Sequence, residues 1–137
     1  MRRFGLLVLV FSLASTSAAT QRAFKLVLYE RDLPRYSPPG HRDTVNVRLV
    51  DREVTDAYEM IHGVMAPGAV SDAHQHVKEL QVGYILSGEA QVTLGNDPPL
   101  TLHAGSVFRI PPGILHRVVS TGNVPLDFVA IYSPPLP

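Results

Sequence analysis

Short apolar runs, each closed by a turn rich in glycine, proline, asparagine or serine, recur from Thr44 to Ser133, and none carries a sustained helical period. That cadence excludes most architectures. A helix needs an apolar stripe that returns roughly every three to four residues over about ten residues or more. Here Val45, Val47 and Leu49 alternate with Asn46 and Arg48, the period of a half-buried strand. AYEMIHGVM (57–65) is a second strand candidate, ending at Pro67-Gly68, and AVSDAHQH (69–76) is a third. QVGYIL (81–86), EAQVTL (89–94), LTLH (100–103), SVFRI (106–110), HRVVS (116–120) and LDFVAIYS (126–133) follow. Between them lie Ser87-Gly88, Gly95-Asn96-Asp97-Pro98-Pro99, Gly105, Pro111-Pro112-Gly113 and Thr121-Gly122-Asn123, all turn chemistry. Twelve prolines in 137 residues also argue against a helical bundle, because proline cannot donate the bond that a helix interior requires. The pattern predicts an all-β sandwich or barrel of short antiparallel strands, with no internal repeat.

The length suits one domain. Arg2 and Arg3 precede an apolar run, GLLVLVFSLA (5–14), and small residues, STSAA (15–19). The run is shorter than the roughly 20 apolar residues that span a bilayer, so residues 1–19 are expected to be a cleaved signal peptide rather than an anchor. Residues 20–43 then form an N-terminal strand, around the apolar FKLVLY, and a loop containing Pro38-Pro39-Gly40. Residues 44–137 form the barrel. The expected location is periplasmic or secreted, with no membrane contact after signal removal. The chain has no cysteine, which excludes disulfides, thiolate ligands and a cysteine nucleophile. Stability in an oxidising compartment must then come from the core or a bound metal. A formal net charge of zero gives no footprint for nucleic acid.

DAHQHVKELQ (72–81) is the stretch that carries chemistry. Residues two apart on a strand face one side, so His74 and His76 are expected to aim at one point. Glu79 and Gln81 also share a face, and either oxygen could complete a ligand set. His116 follows a Pro-Pro-Gly turn at the start of another strand. Imidazoles with an oxygen donor suit zinc, manganese, iron, nickel or copper. A neutral Gln would leave such an ion its full double charge, lowering metal affinity and strengthening it as a Lewis acid. His62 is expected to be a partly exposed strand residue, and His41 and His103 to lie at the surface beside turns.

Spacing gives the stretch a wider frame. Gly68 is followed by five residues and then His74 and His76; four residues then lead to Gln81, and six more to Gly88. Gly105 is followed by five residues, then Pro111, Gly113, two residues and His116, with Ser120 four positions on. Over Gly68–Ser120 this resembles the two motifs of the cupin superfamily, in order and at the separation found in small bacterial members. The resemblance implies a jelly-roll β-barrel with a metal inside, held at His74, His76, position 81 and His116. Cupins usually carry Glu at that position and Asn at the last; this chain has Gln81 and Ser120. Some metal cupins use Gln, and Glu79 falls closer to His76 than the motif allows. Gln81 is therefore the expected ligand, with Glu79 a neighbour or general base. Gly68, Gly88, Gly105 and Gly113 are expected to supply positive-φ turns, and Gly83 and Ile85 to face inward with Gln81.

Family chemistry implies a metal-dependent dioxygenase, isomerase or lyase acting on a small molecule. The alternative within the family is a binding module for a sugar or metabolite without turnover. A third reading, from outside it, is a barrel with accidental histidines. No Arg or Lys is expected to point inward, which favours a small neutral or aromatic ligand over a phosphorylated one. A homodimer is a further family-level expectation.

Overall fold

The structure is a computed structural model that describes residues 26–137. The expected signal segment, residues 1–19, lies outside them. A 3-10 turn at Glu30–Asp32 precedes nine strands: β1 Arg35–Tyr36, β2 His41–Val50, β3 Glu59–His74, β4 Leu80–Ser87, β5 Glu89–Leu94, β6 Leu100–His103, β7 Val107–Ile110, β8 His116–Ser120 and β9 Leu126–Ser133. Among the described residues there is no α-helix. The hydrogen-bonded order is β6-β5-β8-β3-β9-β4-β7, with β2 on β3 and β1 on β2, every pair antiparallel. The sheet curls into the expected all-β jelly-roll barrel.

β3 causes the curl. Its first half, Glu59–Met65, pairs with β9, and its last residues, Val70, Ser71 and His74, pair with β8. β2 stays paired with both halves, through a register shift between Arg42 and Thr44. The expected break at Pro67-Gly68 is therefore not a strand end. Gly68 sits there with φ +79°, opposite the bend at Asp43, itself at φ 52°. Only a residue without a Cβ adopts that conformation at low cost, so the glycine bends the strand without ending it.

Alternation decides what faces in. Ile61, Gly63 and Met65 of β3, Gln81, Gly83 and Ile85 of β4, and Leu126, Phe128, Ala130 and Tyr132 of β9 point to the interior, where Met65, Ala69, Ile85, Ala90 and Leu126 form one packed cluster. Gly83 is required by packing: the Phe108 ring occupies the space a Cβ would need. The described part of the N-terminal apolar stretch, Leu26–Tyr29, is exposed and outside any strand. The first pairing falls to Arg35 and Tyr36, and β2 starts at His41, inside the segment expected to be a loop.

Candidate metal centre

The register of β3 against β8 builds the site. His74, the last residue of β3, is the cross-strand partner of His116, the first residue of β8. His76 lies two residues past the strand end, not on it as the sequence suggested. It is held instead by its backbone: the N–H of Gly113, in the turn before β8, donates to its carbonyl at 2.7 Å. The two motifs are thus stitched together directly. Candidate ligand atoms of His74, His76 and His116 all fall within 4.8 Å of one another. The ring centroids are 4.2 Å apart for His74 and His116, 5.0 Å for His74 and His76, and 5.2 Å for His76 and His116.

Second contacts set the tautomers. His74 Nδ1 lies 2.8 Å from the Asp72 carbonyl, and His116 Nδ1 lies 2.9 Å from that of Ile114. A carbonyl only accepts, so each Nδ1 carries the proton and each Nε2 keeps a lone pair. His116 is 2% exposed, and burial holds its imidazole down at about 4. His76 is lowered as well, by burial and by the neighbouring His74. Neutral imidazole is the form that binds metal.

Gln81 neighbours His76 and is 7% exposed. Its Nε2 donates to the buried Tyr132 hydroxyl at 3.2 Å, which leaves Oε1 as the free end of the amide. Oε1, His76 Nε2 and His116 Nε2 are all buried without a hydrogen-bond partner. An orphaned buried acceptor costs about 1–3 kcal/mol, and three converging imidazoles with the Gln81 amide beside His76 suit a cation. The donor set fits a divalent transition metal.

Glu79 stands beside His76, whose imidazole feels its carboxylate. It is buried, its Oε2 accepts from the Lys78 N–H at 3.1 Å, and it lines a recess at the mouth with His76 and Pro137. Neither Glu79 nor any of the three histidines lines the interior cavity. That cavity, about 40 Å³, is bounded mainly by apolar side chains, with Asn46, Ser71, Gln81 and Tyr132 as its polar members. Among the described residues no Arg or Lys lines it. His41 was expected at the surface, yet it is half-buried with its ring 5.5 Å from that of His74. Its place follows from pairing with Ser71, a long-range register that no local signal carries. Tyr132 was missed too, although the inward parity of LDFVAIY contains it. His103 is exposed, as expected, beside Glu89.

The residue pattern of the cupin domain matches residues 61–132, more than half of the chain. This chain is a cupin. The oxalate-binding protein of Thermotoga maritima is 34% identical to this cupin over 67 residues, 49% of this chain and 54% of that protein. The crystal structure of a predicted oxalate decarboxylase from the same organism superposes with a TM-score of 0.70 at 25% identity, covering 80% of this chain and 99% of that one. The oxalate decarboxylase of Bacillus subtilis, studied for its Mn(II) centres, shares the fold at a TM-score of 0.65 and 19% identity, over 78% of this chain and 29% of that one. The cupin spans 35% to 60% of the length of the first curated relatives it matches.

Proposed function

We propose that this cupin holds one divalent transition metal at His74, His76, Gln81 and His116, and through it binds a small anionic ligand with oxygen donors. The observation that carries this is the set of buried, unpartnered acceptors at the histidine cluster. When bound, the metal supplies Lewis-acid polarisation of the ligand's oxygens. The residues supply the rest. His74 and His116 are fixed in the ligating tautomer by backbone carbonyls, and Tyr132 aims the amide of Gln81. Three imidazoles and a carboxamide are all neutral, so nothing in the set offsets the charge of a dication. That favours an anion over the neutral ligand suggested by the apolar lining. Gln81 lines a small cavity of about 40 Å³ and His76 the outer recess, so a ligand on the metal would have few atoms or extend into the recess. The name of the oxalate-binding relative points the same way.

Lyase or oxygenase turnover is the enzymatic form of this reading. Binding without turnover is the second reading, favoured by a specific feature. Among the described residues, the only ionisable side chain lining the cavity is Tyr132, which burial pushes up and keeps protonated. Glu79, which shares the outer recess with His76, is the base that the turnover reading would use. Elemental analysis of protein purified without a histidine tag tests the metal: one transition ion per chain is expected, and its absence from wild type would sink the proposal. Calorimetry with oxalate then tests the ligand, with binding expected only in metal-loaded protein and lost in His116→Ala. Carbon dioxide release and oxygen uptake separate turnover from binding. A periplasmic or secreted site of action rests on the segment from Arg2 to Ala19, and fractionation with N-terminal sequencing of the mature chain tests it.

A further inference from the structure

The atoms that would ligate the metal are closed off: His76 Nε2, His116 Nε2 and Gln81 Oε1 are all buried. Of the four ligating residues, Gln81 lines the interior cavity and His76 lines the outer recess, which measures about 340 Å³. A ligand too large for the cavity extends into that recess. Gln75 to Glu79, between β3 and β4, form one wall of it, and Pro137 forms another. Pro137 also lines a second recess, of about 310 Å³, together with Leu136, Arg48, Arg52 and Glu59. It thus stands between a space that touches the metal centre and a further space along β2.

The run that carries this partition, Pro134-Pro135-Leu136-Pro137, follows β9 and joins no strand. Three of its four residues are proline, which has no N–H to donate, so the run cannot extend the sheet. It is held from the side instead, by the loop between β2 and β3. Arg52 Nη2 donates to the Pro135 carbonyl at 3.0 Å and to the Leu136 carbonyl at 3.1 Å. Asp56 lies 3.8 Å from Arg52 Nη1 on the other side of the guanidinium. Ser133 Oγ donates to the Ala57 carbonyl at 2.9 Å. Pro135 is fully buried, Leu136 packs on the cluster of Ile61, Ala130 and Tyr132, and Pro137 is exposed. A segment outside the strand ladder, clasped by one side chain at two carbonyls, shifts more readily than a paired strand.

We propose that Pro134–Pro137 is a strap that sets the length of ligand the metal centre accepts, and that Arg52 is the positioning residue that holds it in place. The inference rests on the reading of the site as a metal centre for an oxygen-donor anion. With the strap clasped, a ligand on the metal that grows along the recess meets Pro137, and the clash selects against a long anion while leaving a short one untouched. With the strap released, the two recesses join and the long anion gains the room beyond.

Calorimetry on the metal-loaded full chain tests it, with oxalate as the short anion and α-ketoglutarate, which keeps adjacent oxygen donors on a longer chain, as the long one. Two variants loosen the strap by different means: Arg52→Ala removes the clasp and leaves Pro135 and Leu136 in place, and Leu136→Gly with Pro137→Gly removes the partition and leaves the clasp. Each is expected to raise α-ketoglutarate affinity about tenfold and to leave oxalate affinity within about twofold of wild type, with far-UV circular dichroism unchanged. Metal-free protein supplies a second readout. In both variants diethyl pyrocarbonate is expected to modify His76 several-fold faster than in wild type, while the exposed His103 reacts at the same rate in all three proteins. If metal-loaded wild type binds neither anion, the reading of the site fails, and the His76 rate alone then judges the strap. An unchanged ratio of the two affinities in either variant, or an unchanged His76 rate, overturns the proposal.

Discussion

Gln81 stands where a carboxylate would halve the charge of a bound dication. Gln81→Glu adds an anionic donor at the same reach. It is expected to raise metal affinity about tenfold or more while weakening oxalate binding, because the ligand then meets a centre of lower charge. Competition with a coloured chelator and calorimetry read the two opposite shifts. Tyr132→Phe removes the hydroxyl that holds Gln81 Nε2. Loss of such an orienting partner typically costs about 10–100-fold in metal affinity, and the same chelator competition measures it. The imidazole of His116, held at about 4, supplies a pH test of the metal-free protein. Its folded state binds fewer protons than the unfolded chain, whose imidazoles titrate near 6.5. Stability is therefore present above about 6.5 and lost as pH falls toward 4, by about 2 kcal/mol between pH 7 and 5. Urea denaturation of apo protein at those two values is the measurement. His74, His76, Gln81 and His116 were all legible as candidates, because motif spacing is local. Tyr132 became a candidate only once β9 was seen to lie beside β4.

At the scale of the strand, alternation was a sound guide to facing and a poor guide to ends. Gly83 and Ile85 face inward with Gln81, and the runs from 81 to 133 became strands. Pro67-Gly68 looked like a terminator because turn chemistry is read from neighbours alone. β2, twenty-odd residues away, keeps both halves of β3 paired and turns the glycine into a bend. His76 likewise left the strand, and the Gly113 N–H holds it where pleating would have placed it. Gly83→Ala is expected to destabilise the protein by about 1–3 kcal/mol, because the Phe108 ring must leave a filled site. Gly83→Ala combined with Phe108→Leu should recover part of that loss in the same denaturation assay.

Across the whole molecule, two sets of histidines respond to pH in opposite directions. Burial lowers His62 somewhat, but the Glu30 and Asp127 carboxylates outweigh it and raise its imidazole overall. A raised group stabilises fully below its unfolded value near 6.5, and that contribution disappears as pH climbs through the folded value. The half-buried His76 and the buried His116 lose stability on the acid side. Apo protein is therefore expected to have a stability maximum between the two limbs. His62→Gln should flatten the alkaline limb and leave the acid limb, as followed by thermal melts across pH. Local pattern in the sequence determined the class of fold, the inward parity of the strands and the residues competent to bind metal, since each depends on neighbours a few positions apart. Only the tertiary structure decided that His74 pairs with His116 and that Glu79 shares a recess with His76. Those facts depend on strand order and register between distant segments, which packing of the whole barrel selects.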